Sequence, residues 1–327
     1  MRIAVDMLGG DHAPNELALG VAEAITSNEF SPEELLLVGP TNLLEKQLKE
    51  HGVEELPEII HTNQVIEGHE KPVEGMRAKP EASILKAVSA IREGNAGGLV
   101  AFGNTGAAVA ASTIGLGLLP GVRRPGIAVT LIGANGPFVL LDAGANPSPK
   151  PEHLLHYALM GQAFSRDMHQ HAEPTIGLMN IGGESSKGSP LLQEVHKHFT
   201  ESAFNFVGNV EGNEMFSGIA DVLVTDGFVG NMVLKVVEGF AERMIKVGHQ
   251  QSYDSQVKDI VRELLGVAEF SEAGGAHLLG VNGVVLIGHG RSKASAVLPA
   301  LKIVREDIEA GVNQHIVESL EAHAHNM

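Results

Sequence analysis

Two glycine-bracketed loops of this chain carry side chains suited to an anionic substrate. Residues 182–188 read Gly-Gly-Glu-Ser-Ser-Lys-Gly and place Lys187 between glycines. Residues 225–231 read Thr-Asp-Gly-Phe-Val-Gly-Asn and contain Asp226 and Asn231. An amine and an amide beside main-chain N–H groups can neutralise phosphate or stabilise an oxyanion that develops at a carbonyl. Lys187, Asn231 and Asp226 are therefore candidate site residues.

The same pattern of a short apolar run, a small flexible loop and an amphipathic stretch recurs along the chain. It is found in residues 1–15, 98–107, 139–152 and 284–295. A buried strand that ends in such a loop presents N–H groups at the start of a helix. Six strand ends of this kind predict one crevice lined with main-chain donors. The further candidate substrate contacts are Gly9, Gly10, Asp11, His12, Gly103, Asn104, Thr105, Gly106, Asp142, Asn146, Gly227, Gly230 and His289.

These side chains also have ordinary structural interpretations. Asp11 and Asn104 stand where helix caps are found, and Lys187 can be a simple surface lysine. Asp142 and Asp226 can orient donors, hold magnesium or act as a base, but capping and loop-fixing are commoner roles. The loops match neither the GxGxxG fingerprint, the GxxxxGK[ST] P-loop nor the GxSxG elbow. A nicotinamide site, a P-loop ATPase and an esterase are therefore disfavoured.

Composition excludes several classes of protein. The chain has 327 residues, 43% of them apolar, enough for a substantial core. Its net charge of −17 disfavours nucleic-acid binding and adsorption to anionic lipid. The count of Cys 0 removes thiolate nucleophiles and cysteine metal sites, and no HExxH occurs. No apolar run reaches the roughly 18–20 residues that span a bilayer. The chain starts with a strand pattern rather than the apolar region of a signal peptide. We therefore expect a cytoplasmic protein without a signal peptide.

The periodicity predicts a three-layer α/β architecture. Its strands are short, aliphatic and non-alternating, which is typical of parallel strands covered on both faces. We expect a single catalytic domain over 1–327, with a helical hairpin inserted at about 237–273. Strands are predicted at 2–6, 34–38, 57–61, 98–102, 127–132, 137–141, 174–179, 203–207, 220–224 and 283–287. Helices are predicted at 14–27, 41–51, 80–93, 105–117, 151–168, 190–201, 228–248, 254–265 and 293–320.

Taken together, the loops resemble the bacterial phosphate acyltransferase family, the acyl-ACP:phosphate transacylases of phospholipid synthesis. Nine motifs occur in the family's order and cover residues 1 to about 308. They read VDMLGGDHAP, FGNTGA, RRPGIAVTL, LLDAGAN with KPEHLLHYALMG, NIGGESSKG, FVGNVEG, VTDGFVGNMVLK, GGAHLLG and HGRS. Nine ordered motifs are far more specific than any one glycine loop.

The resemblance implies transfer of a long-chain acyl group from acyl carrier protein (ACP) to inorganic phosphate. The acyl phosphate would feed glycerol-3-phosphate acyltransferase at the membrane. The implied fold is similar to isocitrate and isopropylmalate dehydrogenases and to phosphotransacetylase, and the implied assembly is a homodimer. Lys187 and Asn231 match important family positions, and we expect neither a metal nor an organic cofactor. The alternatives are a phosphotransacetylase-like enzyme that uses short acyl-CoA, an isocitrate-dehydrogenase-like oxidoreductase and a catalytically silent scaffold.

Two surfaces follow from charge and polarity. ACP is acidic, so an acidic enzyme must meet it through a local basic patch, and Arg123 with Arg124 is the best candidate by charge density. Family members associate peripherally with membrane through a helical region. In this chain, however, the hairpin at 237–273 is short and polar. We therefore expect weak or absent vesicle binding at the inner face of the cell membrane, with Phe240 and its apolar neighbours packed against a second subunit.

Overall fold

In the computed structural model, the described part of the chain comprises residues 1–250, 255–257, 259, 260 and 275–325. The chain divides into two compact units. The first unit contains Met1–Leu118 and Phe270–Glu309, and the second contains Leu119–Glu269 and Ala310–Met327. The single catalytic domain expected from the sequence stays a prediction.

The first unit is built on a largely parallel sheet. Its strands lie in the order β3-β2-β1-β4-β11-β10, and only β10 is antiparallel to its neighbour. These strands are β1 (Ile3–Asp6), β2 (Leu35–Gly39), β3 (Glu58–His61), β4 (Gly98–Ala101), β10 (Ala276–Leu279) and β11 (Val284–Ile287). The helices are α1 (Asn15–Thr26), α2 (Thr41–Glu50), α3 (Pro72–Ala78), α4 (Ser83–Arg92), α5 (Thr105–Gly115) and α9 (Val297–Ala310).

Aliphatic side chains from sheet and helices form the core of the first unit. Every residue of β1, β2, β4 and β11 is buried, as expected for strands covered on both faces. Val5 and Leu37 from the sheet share one buried cluster with Leu17 of α1 and Leu301 of α9. Gly20 lets α1 approach closely, because a Cβ there would lie 2.5 Å from the carbonyl oxygen of Ala294.

The strands of the second unit lie in the order β5-β6-β9-β7-β8. Strands β5 and β6 form an antiparallel hairpin, whereas β6, β9, β7 and β8 are parallel. The strands are β5 (Gly126–Gly133), β6 (Gly136–Leu141), β7 (Ile176–Asn180), β8 (Phe206–Glu211) and β9 (Val222–Val224). The helices are α6 (Pro151–His169), α7 (Pro190–Glu201), α8 (Gly227–Gln250) and α10 (Val312–His325). Pro151 and Pro190 occupy the first helical turn, where the missing N–H costs no hydrogen bond.

The predicted α/β class is confirmed, and all ten predicted strands are present within a few residues. Strand β10 and helix α3 were not predicted. The expectation of mainly parallel strands is confirmed, and the two antiparallel pairs are β5 with β6 and β10 with β11. The predicted helix at 293–320 is also wrong as one helix, since α9 and α10 are separated at Gly311, whose φ is 69°. Much of the predicted helix at 254–265 and of the hairpin at 237–273 lies outside the described residues.

No helix among the described residues is both long and apolar enough to cross a membrane.

Candidate active site

Three loops of the second unit leave neighbouring parallel strands at their carboxyl ends. Leu141 of β6 is level with Val224 of β9, which is level with Leu178 of β7. The loops after these strands therefore start side by side at one edge of the sheet. They carry the candidate residues Asp142, Asn146, Lys187, Asp226, Gly227, Gly230 and Asn231.

Asp142 organises the loop after β6. Its side chain is completely buried. Oδ1 accepts hydrogen bonds from the N–H groups of Ile127, Gly144 and Ala145, each at 2.9 Å, and Oδ2 accepts one from Asn146 at 2.7 Å. Burial raises the pKa of Asp142, and the four amides oppose that shift. Both carboxyl oxygens therefore already accept hydrogen bonds from backbone N–H groups.

Glycines let helix α8 approach this loop. A Cβ on Gly230 would lie 2.0 Å from the carbonyl oxygen of Asp142, and a Cβ on Gly227 would lie 2.7 Å from the Asp142 carboxylate. Contacts this short are sterically forbidden, so neither position tolerates a side chain without movement. Gly144 has a φ of 146°, and a Cβ added to it would lie 3.6 Å from the Cβ of Asn231, an ordinary van der Waals distance. The two glycines of α8 therefore allow the start of this helix, and with it Asn231, to stand close to the loop that Asp142 organises.

Asp226 is the N-terminal cap of α8. Its Oδ1 accepts hydrogen bonds from Phe228 and Val229, both at 2.9 Å, and its carbonyl oxygen accepts one from Gly230. The N–H of Gly227 is donated to the carbonyl of Asn146. The first four N–H groups of α8 are thus all paired. What this helix offers a substrate is its dipole and the side chain of Asn231.

Asn231 is exposed, and its amide makes no hydrogen bond within the described part of the chain. An amide carries two N–H donors and one acceptor, so this group is available to a bound molecule. Asn146 differs, because its Nδ2 lies 3.3 Å from Nδ1 of His153 and donates to the hydroxyl of Tyr157 at 3.2 Å. Burial lowers the pKa of His153 and so favours the neutral ring found in this contact.

Three polar side chains hold the loop that carries Lys187. Asn180 Nδ2 donates to the carbonyl of Lys187 at 3.3 Å, and Asn209 Nδ2 donates to that of Glu184 at 2.8 Å. Gln193 Nε2 donates to the carbonyl of Ser186 at 2.8 Å. The Lys187 amine is exposed and lies 3.9 Å from the Glu184 carboxylate, a weak ion pair that a phosphate can displace. The backbone of the loop is thus held while the amine stays accessible.

In the first unit, the loops after β1, β4 and β11 meet through their backbones. A Cβ on Gly9 would lie 2.8 Å from the nitrogen of Gly103. Gly10 has a φ of 102°, and the N–H of Asp11 donates to the carbonyl of Gly290 at 2.7 Å. Only glycine combines this close approach with a positive φ. The side chains of Asp11 and His12 are exposed, and neither caps α1.

Asn104 caps α5 and also holds a distant segment. Its Oδ1 accepts the N–H of Ala107 at 3.0 Å. Its Nδ2 donates to the carbonyls of Glu67 at 2.9 Å and Glu70 at 3.0 Å. By contrast, the N–H groups of Thr105 and Gly106, at the start of α5, make no hydrogen bond among the described residues. In this loop, the unpaired donors are main-chain groups rather than the Asn104 side chain.

Asp6 shapes the same region. It is buried at the end of β1, and its Oδ1 accepts the N–H groups of Leu8 at 3.1 Å and Gly9 at 3.2 Å. Burial raises the pKa of Asp6. The carboxyl lines a small pocket. The other lining residues are Gly9, Val65, Ile66, Ile84, Ala101, Gly103, Asn104, Ala107 and Ala108.

His289 follows β11 and turns the chain there. Its Nδ1 accepts the N–H of Arg291 at 3.1 Å, and its carbonyl accepts the N–H of Ser292 at 2.9 Å. An accepting Nδ1 places the proton of the neutral ring on Nε2. The ring of His289 is half-buried.

The structure therefore places three candidate loops in each unit, and the single crevice expected from the sequence stays a prediction. Sequence reasoning missed Asp6, Asn180 and Asn209 as residues that hold loops. Asp6 and Asn180 each stand at the last position of a strand before a glycine-containing loop, and that placement was the available signal. Asn209 lies within β8 and gave no local signal.

Comparison with known proteins identifies the family. Residues 1–315 match the family model described as "Fatty acid synthesis protein". The phosphate acyltransferase of Desulfitobacterium hafniense (strain DSM 10664 / DCB-2) is 38% identical over 329 residues, covering 98% of each chain. That of Heliobacterium modesticaldum is 41% identical over 333 residues, covering 99% of this chain and 97% of the relative.

Solved structures share the fold at low sequence identity. A phosphotransacetylase from Streptococcus pyogenes superposes with a TM-score of 0.60 at 16% identity, covering 98% of this chain and 94% of that one. A branched-chain phosphotransacylase from Enterococcus faecalis V583 also gives 0.60, at 18% identity, covering 94% and 99%. A 4-hydroxythreonine-4-phosphate dehydrogenase from Klebsiella pneumoniae gives 0.53 at 12% identity, covering 97% and 99%. The family match over nearly the whole chain shows that this protein belongs to the phosphate acyltransferase family and is an acyltransferase.

Proposed function

We propose that the protein transfers a long-chain fatty acyl group from acyl-ACP to inorganic phosphate, giving acyl phosphate and free carrier. The relatives' name and the description of the family model support phosphate as acceptor and a fatty acyl group as cargo. The observation that carries the proposal lies in the second unit. There, the accessible amine of Lys187 lies in the loop after β7, and the unpaired amide of Asn231 lies near the start of α8, which follows the adjacent parallel strand β9.

The reaction needs no covalent enzyme intermediate. A phosphate oxygen attacks the thioester carbonyl carbon, and a carbon–oxygen bond forms as the carbonyl oxygen becomes an oxyanion. Collapse of the tetrahedral intermediate breaks the carbon–sulfur bond, and the proton of hydrogen phosphate ends on the released thiol. The site must therefore hold a phosphate dianion and stabilise an oxyanion. Cys 0 is compatible with this direct attack.

The residues of the second unit suit these two tasks. We assign the Lys187 ammonium to the phosphate, since a full positive charge on a flexible stem matches a dianion. We assign the Asn231 amide to the oxyanion, because a neutral N–H donor gains strength as charge develops. Asp226 acts by capping α8 and Asp142 by holding the loop beside Asn231. Four residues of the first unit remain proposed phosphate contacts. They are Gly9, Gly10, and Thr105 and Gly106, whose N–H groups make no hydrogen bond among the described residues.

One assay tests the function and the Lys187 assignment together. Purified protein is incubated with palmitoyl-ACP and phosphate, and acyl phosphate is trapped with hydroxylamine. Lys187→Ala should lower kcat/KM for phosphate ~10²–10³-fold, the usual effect of removing a positioned donor. The matched control is Lys197→Ala, which removes an exposed lysine of α7 that pairs with Glu201. Absence of acyl phosphate would refute the function, and a fully active, folded Lys187→Ala would refute the assignment.

A short acyl-CoA donor is the second candidate, because the solved phosphotransacetylases share the fold. Acetyl-CoA in the same assay separates the two. Faster turnover of acetyl-CoA than of palmitoyl-ACP would favour the phosphotransacetylase-like reaction.

A basic patch in the second unit supports ACP as the donor. Arg123 and Arg124 are exposed, and neither guanidinium forms an ion pair within the described part of the chain. Arg124 and Lys150 both lie near enough to His153 to help lower its pKa, after the larger effect of burial. The patch thus adjoins the loop after β6 and offers uncompensated positive charge to an acidic carrier.

The remaining proposals concern assembly and place. We propose a cytoplasmic homodimer with weak peripheral contact at the inner face of the membrane, whose product is consumed by glycerol-3-phosphate acyltransferase. A labile acyl phosphate favours a consumer close to the site of synthesis. Sedimentation at several protein concentrations tests the dimer, and vesicle flotation tests the membrane contact.

A further inference from the structure

Helix α7 directs two polar side chains towards the loop that contains Lys187. Gln193 and His196 are three residues apart, so they lie on the same face of the helix. Gln193 contacts the loop directly, since its Nε2 donates to the carbonyl of Ser186 at 2.8 Å. His196 instead contacts Asn209 of β8, and its Nδ1 lies 3.1 Å from Oδ1 of that residue. His196 is thus placed to act on the loop through a second side chain.

Asn209 connects His196 to the loop. Its side chain is buried, and its Nδ2 donates to the carbonyl oxygen of Glu184 at 2.8 Å. The same carbonyl oxygen accepts the N–H of Lys187 at 3.0 Å. A chain of three hydrogen bonds therefore leads from the imidazole of His196 to the backbone of Lys187.

The contact with His196 decides which end of the Asn209 amide faces the loop. An amide oxygen only accepts hydrogen bonds, so Nδ1 of His196 carries the hydrogen in this contact. If the amide were turned over, its NH₂ group would meet that N–H and its oxygen would meet the carbonyl of Glu184. Both buried contacts would then lack a hydrogen bond, which is unfavourable. The ring of His196 is itself packed edge-on against Phe206, with centroids 5.2 Å apart and planes at 72°.

The orientation of the Glu184 carbonyl affects what the loop presents to solvent. A trans peptide carries its C=O and N–H on opposite sides, so a carbonyl that points at Asn209 turns the N–H of Ser185 away from it. Ser185 is exposed, and its N–H makes no hydrogen bond among the described residues. The loop therefore offers an anion this N–H group together with the Lys187 ammonium.

We propose that His196 is a positioning residue for Lys187, because its Nδ1–H orients the Asn209 amide that holds the phosphate-binding loop. This inference rests on the proposed function, which assigns the Lys187 ammonium to phosphate. His196 acts on the loop and not on the acyl donor. Its loss therefore weakens the binding of phosphate and leaves the binding of acyl-ACP unchanged.

Two substitutions at position 196 separate the hydrogen bond from the packing. His196→Phe keeps a ring against Phe206 and removes the donor, whereas His196→Asn keeps an N–H donor near the position of Nδ1. In the acyl phosphate assay, His196→Phe should raise KM for phosphate about three- to tenfold, the effect of one lost hydrogen bond. The values of kcat and of KM for palmitoyl-ACP should stay nearly unchanged. His196→Asn should restore KM for phosphate.

The matched control is His198→Phe. His198 is also a half-buried histidine of α7, and its side chain makes no hydrogen bond within the described part of the chain. This variant should have the native KM for phosphate.

Asn209→Ala tests whether His196 acts through Asn209. It removes the amide between His196 and the loop, so it should raise KM for phosphate at least as much as His196→Phe does. In the Asn209→Ala background, His196→Phe should have no further effect, because both substitutions break the same chain of hydrogen bonds. Additive effects would overturn the inference, since His196 would then act by another route.

Hydrogen exchange followed by mass spectrometry gives a readout that needs neither phosphate nor turnover. The N–H of Lys187 is bonded to the carbonyl that Asn209 holds, so peptides covering residues 182–189 should exchange faster in His196→Phe. They should exchange at the native rate in His196→Asn and His198→Phe. If no donor yields acyl phosphate but this pattern is found, the proposed function fails and His196 still positions the loop.

Three results would contradict the inference. The first is a folded His196→Phe variant with the native KM for phosphate, whatever its exchange rate. The second is an equal rise in KM for phosphate and for palmitoyl-ACP, which would make His196 a general structural residue. The third is a failure of His196→Asn to restore KM. If His196→Phe does not fold, His196→Gln takes its place, because its longer side chain moves the amide away from the position of Nδ1.

Discussion

Replacing Asp142 with asparagine tests whether this carboxylate holds the loop beside Asn231 or binds substrate. The substitution keeps the size of the side chain and exchanges one oxygen for an NH₂ group. In the native protein, four backbone N–H groups point at the two oxygens, three at Oδ1 and one at Oδ2. An amide has one acceptor oxygen, so it cannot satisfy all four donors.

The magnitude follows from those contacts. In its better orientation, the introduced amide keeps its oxygen at the three-donor position and turns its NH₂ group towards the N–H of Asn146. The N–H of Asn146 then has no acceptor and faces the introduced NH₂ group, itself a donor, which costs ~1–3 kcal/mol, and three hydrogen bonds lose the help of the negative charge. Relief from burying a charge offsets part of this, since burial raises the pKa of Asp142. We expect a net loss of ~2–4 kcal/mol in the free energy of unfolding.

Urea denaturation at pH 7 measures this loss, and acyl phosphate formation measures the functional effect. Asp142→Asn should lose stability and turnover together, because the loop beside Asn231 loses the carboxylate that holds the N–H groups of Gly144 and Asn146. Asp11→Asn is the matched control for stability, since the Asp11 side chain is exposed, and it should unfold within ~0.5 kcal/mol of the native protein. An Asp142→Asn variant of native stability with a raised KM for phosphate would refute this reasoning and make Asp142 a substrate contact.

Three further results are expected. Asn231→Ala should reduce turnover with little change in Tm, and a fully active Asn231→Ala would contradict the oxyanion assignment. Asp226→Ala should lower both turnover and Tm, because removal of the cap of α8 costs ~1 kcal/mol of stability. Arg123→Glu should raise KM for acyl-ACP and leave KM for phosphate nearly unchanged, and equal effects on both would argue against docking. Burial, then His171, lowers the pKa of His169 to about 4. Since the unfolded chain binds this proton already near pH 6.5, the free energy of unfolding should fall by up to ~3 kcal/mol as pH drops from 6.5 to 4. His169→Gln should show a smaller fall over that range, and identical pH profiles would contradict this linkage.

Local patterns were enough to locate the strands and most loops. The run Val222–Val224 is fully buried, and Asp226 with Gly227 directly follows it as a cap and a helix start. Such features depend on neighbours within a few residues, so periodicity and turn chemistry predict them. Strand β10 escaped prediction because its four residues lie between Gly275 and Gly280, both with positive φ, and pair antiparallel with β11.

Tertiary structure decided which polar loop residues are hydrogen-bonded within the protein and which can contact a substrate. Asp142 and Asn104 have the residue types of substrate contacts, and the sequence left both interpretations open. Asp142 receives an N–H from Ile127, fifteen residues earlier on the neighbouring strand, and Asn104 donates to carbonyls more than thirty residues away. Asn231 has no such partner among the described residues.

The sequence by itself therefore determined the family, the α/β class, the strand ends and the loops that carry Lys187 and Asn231. Tertiary structure decided which polar groups are hydrogen-bonded to the backbone and which face solvent. It did so through the pairing of the strands and the close contact of Gly227 and Gly230 with the loop after β6. The physical reason is that a buried donor or acceptor must be paired, and its partner is chosen by distance in space rather than along the chain.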